Sequence, residues 1–167
     1  ARLGATVVVG ARNPAKAEAT QIELAKEAKD PKAVRTMALD VASLASIRAF
    51  AAEFQTKHDA LHLLVNNAGA WFSDRRTSPD GHELTFATNV LGPYALTKLL
   101  EPALQKGKPS RVVNVVSSFA SDYDASDLEF SKRKFDGFKA YGQSKLALRM
   151  DGSKGLAFRV VLLVRAA

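Results

Sequence analysis

A chain of 167 residues with 47% apolar content and no cysteine fits one globular domain with a real core, and it excludes disulfides, thiolate metal sites and a cysteine nucleophile. The formal charge of +7 raises nucleic acid as a partner. However, only Lys132-Arg133-Lys134 with Lys139 forms a dense basic group; the other cations are spread among Glu and Asp as solvated faces, so the reading is no nucleic acid, and an anionic cofactor explains the surplus more economically. The longest apolar run, near Val160 to Val164, is too short for a bilayer, and Ala-Arg-Leu-Gly at the start lacks signal-peptide order, so no membrane segment is expected in this chain.

Thr6-Val7-Val8-Val9 is a β-branched run that ends at Gly10-Ala11-Arg12, and Asn13-Pro14 opens a helix predicted to reach about Lys29. Asp30-Pro31 breaks that helix, Val34 to Leu39 forms a second strand, and Asp40 stands at its end. Ser43 is the predicted N-cap of a helix whose Leu44, Ile47, Phe50, Ala51 and Phe54 recur at the spacing of one buried stripe. Leu61 to Val65 is a third apolar run, closed by Asn66-Asn67-Ala68-Gly69, which tolerate tight turns and offer side-chain hydrogen bonds. After a loop from Trp71 to Pro79, one long helix is predicted from about Gly81 to Gln105, bent at Gly92-Pro93 where proline removes a donor. Val112 to Val116 is a fourth strand. The stretch from Ser117 to Gly137 is polar and irregular, with 120–137 read as a long surface loop. A helix from about Phe138 to Met150 and a strand near Phe158 to Val164 complete the order, with Asp151-Gly152-Ser153 interrupting the helix.

Strands alternating with helices, each strand a nearly continuous apolar run, predict an α/β fold with a parallel sheet covered on both faces, a Rossmann-type pattern in a single domain over 1–167. Ligands in such folds bind beyond the carboxyl ends of the strands, and Arg12, Asp40, Asn67 and Ser118 all fall there.

Tyr141 and Lys145 are four apart, which places them on one helix face. A phenol is a poor base at neutral pH, and a neighbouring ammonium favours its ionised form, so such a pair can shuttle a proton. Ser118 is placed to hydrogen-bond a developing alkoxide or carbonyl oxygen, and Asn89 to hold a water that relays protons toward Lys145. Taken alone, Tyr-x-x-x-Lys also describes an exposed surface pair. The ordered set of Asp40, Asn-Asn-Ala-Gly, Asn89, Ser118 and Tyr-x-x-x-Lys is what favours chemistry. His58, His62 and His82 have no ligand spacing with carboxylates, so no metal is expected. Asp74, Asp80 and Glu83 read as loop and helix-start charges, while Trp71 and Phe72 either wall a cleft or plug their loop onto the core.

Over about residues 1–150 this set resembles the short-chain dehydrogenase/reductase family, and Arg-Val-Val-Asn-Val-Val-Ser-Ser with the long gap from Ser118 to Tyr141 resembles its retinol-dehydrogenase-like branch. The resemblance implies hydride exchange between a nicotinamide cofactor and a small-molecule carbonyl or alcohol substrate. Tyr141 would be the catalytic acid/base, Lys145 its partner and ribose ligand, Ser118 the polariser and Asn89 the helix-bending relay. Asn67, Ala68 and Gly69 would line the cofactor, with Asp40 facing the adenine and Val41 beside it. In the family an acidic residue at the end of the second strand selects NAD; here Ala11 and Arg12 stand there, and a guanidinium suits a 2′-phosphate, so NADP(H) is favoured over NAD(H). The other reading of Arg12 is a solvent-facing turn residue.

The pattern departs from the family at both ends. Its opening strand and Gly-rich phosphate turn have no counterpart here, so the expected Rossmann-type sheet is incomplete, with a gap between the strand ending near Val9 and that ending near Val65. Either those strands pair directly, or the chain is a fragment whose open edges promote association, which makes a homo-oligomer an available state. The alternative to an active enzyme is a truncated, catalytically inactive domain of the same kind that acts by partner binding or is without activity.

Overall fold

The computed structural model describes residues 1–121, 123–151 and 159–165, which divide into two compact units, Ala1–Asp40 and Val41–Ala167. In the first unit, β1 (Val7–Ala11) and β2 (Val34–Ala38) run parallel, with Val7 opposite Val34 and Ala11 opposite Ala38. Helix α1 (Pro14–Glu27) joins them. The Asn13 side chain accepts from the Lys16 N–H at 3.1 Å, and Pro14 occupies the first helical position, where a missing N–H loses nothing. Asp30 caps the 3₁₀ turn Pro31–Ala33 by accepting from the Lys32 N–H at 2.9 Å. Gln21 then fastens α1 to β2, donating to the Val34 carbonyl at 3.0 Å and accepting from the Thr36 hydroxyl at 3.1 Å. The predicted elements stand, with α1 stopping slightly before Lys29 because Ala28 turns extended.

The second unit opens with α2 (Leu44–Lys57), capped twice: Ser43 accepts from the Ser46 N–H at 3.3 Å and Asp80 from the Leu44 N–H at 2.8 Å. Ile47, Phe50, Ala51 and Phe54 are buried as the stripe predicts. Its sheet has the order β3 (Leu63–Asn66), β4 (Arg111–Ser117), β5 (Arg159–Arg165), all parallel, with Leu63 opposite Arg111 and Arg111 opposite Arg159. Among the described residues β1 pairs only with β2 and β3 only with β4, each sheet lying within its own unit. The central strand β4 buries Val112, Val113 and Val116. On β3 only Leu64 and Asn66 are buried while Leu63 and Val65 are exposed, so this strand alternates rather than being covered on both faces. Asn66 and Asn114 face each other across the β3–β4 ladder, and the Asn66 Nδ2 donates to Asn114 Oδ1 at 2.8 Å and to Thr97 Oγ1 at 3.2 Å, which keeps these buried amides paired.

The predicted single helix over 81–105 is instead four pieces: α3 (Leu84–Phe86), a π-helical turn (Ala87–Leu91), α4 (Gly92–Leu99) and α5 (Glu101–Lys106). The departure begins upstream of the expected bend, where the Gly92 N–H reaches back five residues to the Ala87 carbonyl. Pro93 has no N–H to offer the carbonyl four residues earlier, and a ladder shifted ahead of it absorbs that loss. A second break falls at Leu100, with ψ of 1°, just before Glu101-Pro102. Helix α6 (Gly137–Asp151) covers the predicted Phe138 to Met150 span. Of the interruption predicted at Asp151-Gly152-Ser153, Asp151 is still the last residue of α6, while Gly152-Ser153 and the start of the last strand at Phe158 lie outside the described residues. Among the described residues no helix is long and apolar enough to cross a membrane.

Candidate active site

The π-helical turn places Asn89 fully buried, facing both the turn after β3 and helix α6. Its Oδ1 accepts from the Ala70 N–H at 2.8 Å, and its Nδ2 donates to the Ala70 carbonyl and to the Ser144 hydroxyl oxygen, each at 2.9 Å. Ser144 passes the connection on by donating to the Tyr141 carbonyl at 2.7 Å. Both amide hydrogens of Asn89 are therefore committed to protein partners, and the side chain acts as a brace between the Asn67–Ala70 turn and α6.

Lys145 follows Ser144 and is 3% exposed. Its ammonium donates to the Val115 carbonyl of β4 at 3.0 Å and lies 5.8 Å from the centre of the Tyr141 ring, within cation–π range. Among the described residues no Asp or Glu pairs with it. Burial pushes the Lys145 pKa below its ordinary value. A Cβ on Gly69 would stand 2.9 Å from that ammonium and 3.5 Å from Asn89 Oδ1, so the turn passes close to both side chains.

Tyr141 is half-buried. Ser118, the first residue after β4, is exposed, and the segment that follows it lies on α6 beside Tyr141: the Ser121 N–H donates to the Gly142 carbonyl at 3.3 Å, and a Cβ on Gly142 would meet the Phe119 carbonyl at 2.8 Å. Asn67 and Ala68 are exposed directly beyond β3. Asn89, Gly69, Lys145 and Tyr141 are thus joined in one cluster, with Ser118 attached through its neighbours. Val41 opens the second unit and is half-buried. In the first unit, Arg12 is exposed immediately beyond β1, and Asp40 is half-buried two residues beyond β2.

Trp71 stacks on Phe138 with ring centres 5.2 Å apart, both rings exposed at the first turn of α6, so it is not a plug in the core; Phe72 lies half-buried under Arg76. The remaining candidates have structural partners. His82 pairs with Glu129 at 3.2 Å, His58 packs on Phe54 with ring centres 4.8 Å apart, and Asp74 binds Arg76 at 2.9 Å. Buried Glu83 accepts from the Thr85 and Phe86 N–H groups at 2.8 Å and so caps α3. Arg133 of the basic group is turned onto Asp124 and Asp127 at 3.5 Å each. Ala70, the Val115 carbonyl, Gln143 and Ser144 were not singled out from the sequence. Of these Gln143 and Ser144, both inside the Tyr-x-x-x-Lys turn, share its positional signal.

The family model for short chain dehydrogenase matches residues 1–154. Among characterised proteins, mouse polyprenol dehydrogenase is 40% identical over 156 residues, covering 90% of this chain and 46% of that protein. Mouse retinol dehydrogenase 13 is 37% identical over 150 residues, covering 89% and 45%. The chain therefore spans a little under half the length of these relatives. Among solved structures, an uncharacterised protein from Mycobacterium paratuberculosis has a TM-score of 0.80 at 32% identity, covering 98% of this chain and 60% of that one. A metagenomic short-chain oxidoreductase in complex with NADP has a TM-score of 0.73 at 26% identity, covering 98% and 72%. The parallel sheets, the strand-end turn and these matches agree, and the chain belongs to the short-chain dehydrogenase family, with its retinol-dehydrogenase-like members among its relatives.

Proposed function

We propose that this chain acts in an NADP(H)-dependent oxidoreductase that interconverts a carbonyl and an alcohol. The observation that carries the reading is Lys145: a buried ammonium that, among the described residues, has one neutral hydrogen-bond acceptor, beside Tyr141 and bordered by Gly69. A buried cation without a countercharge is costly, and a site that leaves one next to a phenol and an open glycine turn fits a polar ligand that supplies oxygen acceptors. Ribose hydroxyls of a dinucleotide are such acceptors. A nicotinamide cofactor, when bound, supplies or takes up the hydride.

In the reducing direction the Tyr141 Oη gives its proton to the substrate oxygen as negative charge develops there, and the Ser118 hydroxyl donates a hydrogen bond to the same oxygen. The Lys145 ammonium stabilises the phenolate that remains. Oxidation runs the same proton path backwards. Asn89 holds the Asn67–Ala70 turn and, through Ser144, α6 in fixed relation; its lone pairs and backbone, rather than its amide hydrogens, are what it offers a relay water. In the second unit Asn67, Ala68 and Gly69 would line the cofactor and Val41 would serve its adenine end; in the first unit Asp40 would serve an adenine and Arg12 would take a 2′-phosphate, which favours NADP(H). The metagenomic relative was solved in complex with NADP, which supports the cofactor class.

The test is titration of the chain with NADPH and NADH, followed by nicotinamide fluorescence, and then a screen of carbonyl compounds. Saturable binding that is tighter for NADPH, with Tyr141→Phe binding normally and turning nothing over, is the expected result. A folded chain that binds neither nucleotide, or a Tyr141→Phe variant as fast as its parent, overturns the reading.

A further inference from the structure

Gln143 lies between Tyr141 and Lys145 in sequence, yet two helical positions rotate it about 200° from Tyr141, onto the far side of α6. It is 1% exposed. Every hydrogen-bonding site of its amide is engaged with one irregular segment. Oε1 accepts from the Asp124 N–H at 3.0 Å and from Arg133 Nη2 at 2.9 Å, while Nε2 donates to the carbonyls of Asp127 at 3.2 Å and Leu128 at 2.9 Å.

That segment is itself tightly knit. Buried Asp127 accepts from the Ser131 N–H at 2.6 Å, and the Arg133 guanidinium stacks over Phe130 at 4.1 Å while reaching Asp124 and Asp127. Phe130 holds φ of 50°, a left-handed conformation that a bulky residue keeps only where its surroundings fix it. The surface loop expected here is irregular and largely exposed, as read, and over residues 124–133 it is held by its own hydrogen bonds. It begins at the Ser118 end of β4, returns to α6 beside Tyr141 through Ser121 and Gly142, and is anchored again through Gln143.

We propose that Gln143 is a positioning residue, whose clamp on residues 124–133 fixes how the chain leaving β4 lies on α6 and thereby sets the Ser118 hydroxyl against Tyr141. The proposal rests on the oxidoreductase reading for its consequence in turnover, and on the hydrogen bonds of Gln143 for its geometry. Without the amide, the Asp127 and Leu128 carbonyls, the Asp124 N–H and Arg133 all lose a partner, and the Ser118 arm is free to shift. A misplacement of about 1 Å in such a site lowers rate by up to about a hundredfold.

The experiment compares the parent chain with Gln143→Leu, Gln143→Glu and Arg133→Met. The readouts are NADPH affinity from nicotinamide fluorescence, kcat and KM on a carbonyl found in the screen, and the Tyr141 ring-carbon resonance in ¹³C-tyrosine-labelled protein. Gln143→Leu is expected to move the Tyr141 resonance and lower kcat about tenfold to a hundredfold while NADPH affinity stays unchanged. Gln143→Glu keeps the acceptor for Asp124 and Arg133 and recovers part of the rate; Arg133→Met, at a more exposed position, gives a smaller change in the same direction. If Gln143→Leu does not fold, the other two variants decide. A folded Gln143 variant with an unmoved Tyr141 resonance and unchanged kcat overturns the proposal, as does a uniform loss of kcat, KM and affinity that tracks the loss of fold. If the parent chain binds no NADPH, the oxidoreductase reading fails separately, and the Tyr141 resonance still decides whether the Gln143 clamp sets the chain leaving β4 against Tyr141.

Discussion

Gln143 and Lys145 are two residues apart on the same helix and almost equally buried, yet their surroundings are opposite. The amide of Gln143 meets a protein partner at each donor and acceptor, whereas among the described residues the three hydrogens of the Lys145 ammonium meet one neutral carbonyl, that of Val115. A satisfied buried group rigidifies its neighbourhood, while an under-satisfied one stores a desolvation cost that a ligand can relieve. In the proposed reading the far side of α6 is scaffold and the Tyr141 side a binding surface. Asn89, with both amide hydrogens committed, belongs with the scaffold although it borders the site.

The largest test of this contrast is Tyr141→Phe, which is expected to lower turnover by about 10²–10⁴-fold with nucleotide affinity retained, as measured by steady-state rates beside fluorescence titration. Next is Lys145→Met. Loss of a charged hydrogen-bond donor should weaken NADPH by about tenfold to a hundredfold, yet the melting temperature should not fall, because the variant removes an uncompensated buried charge. Gln143→Leu should do the reverse to stability, with each orphaned group costing about 1–3 kcal/mol, visible in denaturant midpoints. Arg12→Ala should weaken NADPH about tenfold and leave NADH nearly unchanged in paired titrations.

The smallest effect is in pH. The folded-state pKa of Lys145 lies below the ordinary lysine value, so between the two the unfolded chain binds more protons than the folded one, and stability rises with pH across that window. Below the folded value the penalty is fully present. Chemical denaturation of the parent against Lys145→Met at stepped pH isolates this term: the gap should narrow as pH climbs through the window, and a constant gap would contradict it.

Much of this architecture was legible in the sequence. Apolar runs closed by turn residues located each strand to within a few positions, and the carboxyl ends of those strands carried Arg12, Asn67 and Ser118 as expected. The helix over 81–105 was not, because apolar spacing cannot distinguish a five-residue ladder shift from an α-turn. The shift coincides with Pro93 and with the tertiary bonds from Asn89 to Ala70, which local periodicity does not record. The bonding within the segment after Ser118 was illegible for a related reason: it comes from Gln143 and Arg133 meeting backbone groups of an irregular chain, and no spacing in the sequence marks those partners. Trp71 left two readings open that only its contact with exposed Phe138 separates.

The most direct measurement is NADPH titration of the parent chain beside Lys145→Met, read by nicotinamide fluorescence on samples shown to be folded by circular dichroism. Saturable binding by the parent that is lost or weakened at least about tenfold in Lys145→Met is the predicted result. Equal binding by both chains, or none by the folded parent, would contradict the claim that the under-satisfied ammonium marks the cofactor site.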